Sequence, residues 1–385
     1  MALEVAVGVS DDPDPAAAFG AAAGEVRAGL DGRCDLAAVF AGAPHLPEVE
    51  SILPIVDERL RPASLIGCGA GGVVAPGREV EEGPGAVVWG LSAPGARIET
   101  HRLSARRDGD EIAIEGMPDR DREADAIIVL VDPYTFSAEA LLARLNEERP
   151  AAPALGGLAS AAAAGSASLF CDGDVVDQGA VACTIEGLEV VPCVSQGATP
   201  VGPEMTITAC EGNAISELAS TPAIDRLRDA IAELERSERE LAAQGLLLGV
   251  VIDENQPSYD RGDFLVRPIV GADESTQTLV IGERVRVGQT VRMHVRDPAS
   301  ADEDLREALG VRAAALGTEG AAGVLLFTCN GRGRHMFAVP NHDVDAVEDA
   351  LGAPAAGFFC AGEIGPVGGT NFLHGFTATM AVFPR

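Results

Sequence analysis

"FTCNGRGRHMF", residues 327–337, leaves an apolar strand for a glycine-flanked turn that carries an amide and a guanidinium. Arg332 offers a planar fork of donors that matches a carboxylate or phosphate, and Asn330 offers an amide beside it. Gly331 and Gly333 give the backbone the freedom such a turn needs. Alternatively, the glycines only make the turn and Arg332 points to water. A second loop, "CAGEIGPVGGTNFLHGF" (360–376), sets Glu363 among glycines and a proline, where no turn requires a carboxylate. Arg332 and Glu363 together suit a zwitterion, with arginine on the carboxylate and glutamate on the amine. They suit a structural ion pair nearly as well. His374 reads first as a core histidine; in a functional role it is a hydrogen-bond partner of Glu363 or an axial haem ligand.

Much other chemistry is absent from the chain. All 28 basic residues other than histidine are arginine, so Schiff-base catalysis, pyridoxal-phosphate attachment and a phosphate-loop lysine are excluded. No G-x-S-x-G or H-E-x-x-H occurs. The eight cysteines (34, 68, 171, 183, 193, 210, 329 and 360) stand singly, without a C-x-x-C pair, so zinc-ribbon and thioredoxin-like readings lose their basis. No C-x-x-C-H is present, so any haem is non-covalent. His335 and His342 do not match a zinc spacing, and no metal is assigned. Cys329 or Cys360 with His374 makes a Cys–His pair on paper, the basis of a hydrolase or transferase reading that ranks last. Cys68 and Cys360 both fall near strand-to-glycine breaks, as pocket-lining thiols or as buried packing.

A net charge of −31 repels phosphate backbones, which argues against nucleic acid as a partner. With 47% hydrophobic residues the chain has ample core material. No apolar run is long and clean enough to span a bilayer, and "MALEVAVGVSDDPDP" lacks a secretory pattern, so a cytoplasmic location is expected.

The elements that must position these residues recur three times as strand, helix, strand breaking into glycines, and a completing strand or hairpin, although any α/β chain alternates in a similar way. The copies open at "DLAAVFAGAP" (35–44), "DAIIVLVDPYTF" (125–136) and "AAGVLLFTCNGRG" (321–333). In each, glycines follow the strand after the helix: "SLIGCGAGG", "APALGGLASAAAAG" and "APAAGFFCAGEIGPVGG". Ser137 is expected to cap the second helix and Asp343 the third, with Gly352 as its stop. Asp172-Gly173 signals a hairpin, and the polar segment 104–124 a surface hairpin or loop. Residues 221–245 predict one long amphipathic helix joining two domains. The fold class expected is α/β with α+β character: antiparallel-rich sheets covered by helices, with a cleft between the domains.

"VSQGATPVGPEMTITACEGNAISEL" (194–218) resembles the end of the FIST N-terminal domain. "DENQPSYDRGDFLVRPIVGADESTQTLVIGERVRVGQTVRMHVRD" (253–297), "GVLLFTCNGRG" (323–333) and the closing Gly362–Pro366 and Leu373–Thr377 segments resemble the FIST C-terminal domain. The resemblance covers nearly the whole chain and implies FIST domains over 1–215 and 216–385. It departs at Ala198, where many members carry Cys after Ser195-Gln196-Gly197. The resemblance implies a cytoplasmic, non-catalytic sensory module that binds a small polar ligand such as an amino acid. Some similar proteins are haem-based gas sensors, which keeps non-covalent haem as the alternative; otherwise no cofactor is expected. With no kinase, cyclase or F-box beside the two domains, the output is expected on a partner protein. The ligand site expected is Asn330, Gly331, Arg332, Gly333, Glu363, His374 and Gln196.

Overall fold

The computed structural model describes residues 3–108, 111–120, 122–161 and 168–385. The chain forms two compact units, Met1–Val194 with Arg306–Arg385, and Ser195–Leu305. The third repeat therefore packs with the first two.

In the first unit each repeat has the same parts. The first repeat runs from strand Leu36–Gly42 through helix Val49–Leu60, strand Ser64–Ala70 and hairpin Val73–Ala75/Arg78–Val80 to strand Ala86–Ser92. The second runs Ala126–Val131, helix Ala138–Glu148, Ala154–Leu158, hairpin Leu169–Cys171/Asp174–Val176 and Ala180–Glu186. The third runs Ala321–Cys329, helix His342–Leu351, Ala355–Cys360, hairpin Glu363–Val367/Thr370–His374 and Thr377–Pro384. In every copy the first two long strands pair in parallel, and the closing strand pairs antiparallel to the first.

The hairpins do not stay at home. The first repeat's hairpin adds to the third repeat's sheet, the second's to the first, and the third's to the second. The exchange is cyclic, so the second long strand of each sheet is paired by a hairpin from another repeat.

One glycine per repeat makes the common geometry visible. Gly67, Gly156 and Gly357 each sit beside their in-register partner on the first strand, Val39, Val129 and Leu326. A Cβ on each would lie 2.1, 1.9 and 1.7 Å from that partner's carbonyl oxygen, a distance only glycine allows. The expected glycine breaks are thus architectural first.

Reading across each sheet from those glycines gives two rows. The outward row is Val88–Val39–Gly67–Phe170–Val175 in the first sheet and Ala182–Val129–Gly156–Ile364–Leu373 in the second. These pack beneath the covering helices. The third sheet's row is Met380–Leu326–Gly357–Val74–Glu79, apolar until it ends in a carboxylate. The inward rows form one shared core containing Phe40, Cys68, Leu130, Phe327 and Phe358. That row is broken by Glu363 and His374 in the second sheet and by Thr379 in the third, where the first sheet has Leu169, Val176 and Val87. Each buried aliphatic side chain in such rows contributes about 1.5–3 kcal/mol.

The second unit is a ring of antiparallel strands. The long strand Ala198–Glu211 pairs with Thr290–Arg296 along its first part and with Ala214–Leu218 along its last. Leu246–Val251, Phe264–Asp273 and Thr278–Ile281 close the circle, so the ring has no open edge. Helix Ala223–Glu233 packs Ile224, Leu227 and Ala230 against Met205, Ile207, Leu248 and Met293.

Two sequence expectations need correction. Residues 221–245 are not one helix: Leu234 is extended, and Glu235 starts a second helix, Arg236–Gln244, through a capping box with Glu238. Asp343 does not cap the third repeat's helix. Asn341 holds that position in a left-handed conformation, and Asp343 lies inside the first turn. Ser137 does cap its helix, donated to by Ala140 N, and Gly352 ends the third repeat's helix. Strands Arg97–Asp108 and Glu111–Glu115 form the surface hairpin expected within 104–124. The segment "AAAAG" of the second glycine break lies largely outside the described residues. Among the described residues, no helix is long and apolar enough to cross a membrane.

Candidate functional site

Glu79 ends the apolar row of the third sheet because its hairpin, donated by the first repeat, reaches the start of helix His342–Leu351. Its Oε1 accepts the Asp343 and Val344 N–H groups at 2.9 and 3.1 Å, two donors that a helix start leaves unpaired. Its own N–H donates to Asn341 Oδ1 at 3.0 Å. Glu79 is 4% exposed, and its Oε2 has no hydrogen-bond partner among the described residues. Burial first, and the Asp343 charge second, push its carboxyl up to about 7 despite the two backbone donors.

Behind Glu79 lies a buried ion pair. Arg332 Nε and Nη2 donate to Asp343 Oδ2 and Oδ1 at 2.7 and 2.8 Å, a two-pronged geometry. Thr328 Oγ1 donates to the same carboxylate at 2.5 Å, and His342 Nδ1 lies 2.9 Å from it. Burial alone would raise the Asp343 carboxyl, but the Arg332 guanidinium outweighs it and holds the group well below the carboxylate range. Burial likewise works against the Arg332 charge, and Asp343 outweighs it. Phe337 stacks on His342 at 3.4 Å and lies 5.0 Å from the Arg332 guanidinium.

In front of Glu79 is a groove of about 400 Å³, lined by Arg78, Glu79, Val80, Glu81, Glu82, Arg334 and His335. Its far wall depends on Gly333, which has φ +63° and a Cβ position 2.8 Å from the Glu81 carboxylate. Glycine there lets Glu81 reach the Arg334 N–H at 3.0 Å.

A second polar cluster surrounds Glu363, which is fully buried. Its Oε2 accepts the Thr377 N–H and hydroxyl at 3.1 and 2.8 Å, while Oε1 has no partner among the described residues. Burial, opposed by Thr377, the Cys329 thiol and the Arg332 charge, leaves its carboxyl raised to about 8. Thr379 Oγ1 and Arg332 Nη1 are likewise buried without a partner among the described residues.

The structure sorts the seven expected site residues. Arg332 is buried with two of its nitrogens engaged by Asp343, so it neither clamps a ligand from the surface nor pairs with Glu363. Glu363 feels its charge but bonds Thr377. Asn330 is exposed, with its N–H on Cys360 O at 2.9 Å, and Gly331 is half-buried behind the Phe376 ring. Gly333 alone of the turn shapes the groove. His374 is the cross-strand partner of Glu363, and its Nε2 lies 2.9 Å from Gly365 O. Gln196 belongs to the second unit, where its Nε2 donates to Phe264 O at 3.1 Å and its N–H to Asp304 at 2.8 Å. Glu79, Glu81, Arg334 and Asp343 were missed. Glu79 meets its partner 264 residues away, and "GREVEEG" carries no turn or catalytic signature that announces such a contact.

Comparison with known proteins agrees with the sequence blocks. The FIST N domain model matches residues 35–220, and the FIST C domain model matches 223–366. Uncharacterised proteins of Mycobacterium tuberculosis are 43% identical over 384 residues, covering 99% of this chain and all of theirs. An uncharacterised protein of Mycobacterium bovis is 42% identical over 385 residues, 99% of each chain. FIST domains are sensory domains of signal transduction, and this chain belongs to the FIST family.

Proposed function

We propose that this chain is a non-catalytic ligand-binding input of a cytoplasmic signalling system. It takes a small polar ligand, such as an amino acid, in the groove between the Arg78–Val80 strand and the Arg334 turn, and its output sits on a partner protein. The observation that carries this reading is Glu79. At a position where the two sister sheets have Val175 and Leu373, this sheet has a carboxylate at the groove with one oxygen unpartnered among the described residues. A buried carboxylate with an open acceptor costs stability, and such costs cluster at functional sites.

Two observations weigh against the alternatives. Burial pushes the Cys68, Cys329 and Cys360 thiols up, opposite to an activated nucleophile. His374, 5% exposed and with Nε2 directed at Gly365 O, offers a haem iron no open nitrogen there.

Melting temperatures of the whole chain against a panel of amino acids, amines and small carboxylates test the reading. A ligand at a hundred times its Kd adds about 2.7 kcal/mol of stability, a rise of several degrees. The rise should vanish in Glu81→Ala, which releases the Arg334 wall. A panel that leaves every melting temperature unmoved, or a rise untouched by Glu81→Ala, counts against the groove.

A further inference from the structure

Each arginine at the groove, and the one buried behind it, already has a carboxylate. Arg332 holds Asp343, Arg78 Nη2 lies 2.7 Å from Asp11, and Arg334 is tied to Glu81 through its N–H at 3.0 Å and its Nε at 3.6 Å. Two carboxylates are left over. Glu79 Oε2 is buried without a partner among the described residues, and Glu82 is exposed at the rim. Among the described residues, no group of three or more His, Cys, Asp and Glu side chains is arranged to hold a metal ion. The unpartnered acceptor at the groove suits a hydrogen-bond-donating cationic group.

We propose that the groove recognises its ligand through an ammonium or guanidinium group, seated on Glu79 Oε2 with Glu82 at the rim, and not through an anionic group on its arginines. The proposal rests on the groove being the ligand site and names what that site selects. Arg334 and Arg78 then act as walls, held by Glu81 and Asp11.

The cation displaces a proton. Free Glu79 lies near its midpoint at neutral pH because burial and the Asp343 carboxylate disfavour its charge. Glu81 on its own hairpin adds to that push, while the Asp343 and Val344 N–H groups oppose it. Arg78, Glu82, Arg334 and His335 are the other charged or titratable groups lining the groove, and Arg332 stands behind Asp343. A bound ammonium requires the ionised form, so the Glu79 proton leaves to solvent as the ligand enters. Affinity rises with pH through about 7 and flattens above it.

Calorimetric titration of the whole chain at pH 8 and pH 6 with four probes tests this. n-Butylamine and agmatine are cations; N-acetylglycine and succinate are anions. The cations should bind about tenfold more tightly at pH 8 than at pH 6, the ratio of ionised Glu79 for a midpoint near 7. Glu79→Gln keeps an acceptor for the helix N–H groups and should cost the cations at least tenfold at pH 8, with an unchanged circular dichroism spectrum. Glu82→Gln, at the exposed rim, should cost about two- to threefold. Anions that bind as tightly as the cations, or cation affinity untouched by Glu79→Gln, would overturn the proposal while leaving the groove as the ligand site. Silence of all four probes and of the wider panel would remove both.

Discussion

Arg332→Ala is expected to lose about 3–5 kcal/mol of folding stability, measured by urea unfolding at pH 7. The substitution leaves the Asp343 carboxylate buried beneath the Glu79 hairpin with its guanidinium gone, and an uncompensated interior charge is what makes the loss large. Asp343→Ala should cost a similar amount by stranding Arg332. The paired replacement Arg332→Met with Asp343→Leu should cost clearly less than either single change, since no charge is left behind. The pH dependence follows from the direction of the Asp343 shift. Its carboxyl is held below the unfolded value of 3.8, so the stabilisation is present above that pH and is lost as pH falls through the folded value. An arginine that merely lined a solvent-facing clamp would cost under about 1 kcal/mol on removal.

Glu363→Gln should raise stability at pH 8 and above, and change it little at pH 5. The unfolded carboxyl titrates near 4.5 and the folded one near 8. As pH rises from 4.5 the unfolded chain gives up this proton while the folded chain keeps it, so stability drains away until about pH 8 and then levels. A shift of that size corresponds to a few kcal/mol at 1.36 kcal/mol per pH unit. Glutamine keeps an acceptor for the Thr377 N–H and hydroxyl and carries no charge into the core. Glu79 drains stability in the same direction between about 4.5 and 7, so the comparison that isolates Glu363 is variant against wild type across pH 5–9. Parallel curves for the two proteins would show that Glu363 is not the titrating group.

The repeat was legible because its signals are local. Strand, helix and glycine break recur within each repeat, and Gly67, Gly156 and Gly357 are forced by contact with the adjacent strand. The family was legible from blocks such as residues 253–297. The cyclic exchange of hairpins was not, since nothing within Val73–Val80 says which sheet edge it will cover. On sequence Arg332 is joined to Glu363, whereas the structure gives them other partners, Asp343 and Thr377. Asp343 reads as a cap eleven residues from Arg332 and turns out to be its counter-ion one turn into the helix. Glu79 is the sharpest case. In "GREVEE" it is one charge among several, and only its place in the row Met380–Leu326–Gly357–Val74–Glu79 shows that an apolar residue belongs there. Charge patterning along one chain cannot reveal a position defined by five strands.

Amide hydrogen exchange of the whole chain, with and without the tightest binder of the panel, tests the central claim most directly. Binding in the groove should slow exchange in residues 73–82 and 333–344, the segments that contain its lining residues and their hydrogen-bond partners, and leave the ring of strands in Ser195–Leu305 unchanged. Protection that falls in the ring, with 73–82 and 333–344 exchanging as in the free protein, would contradict it.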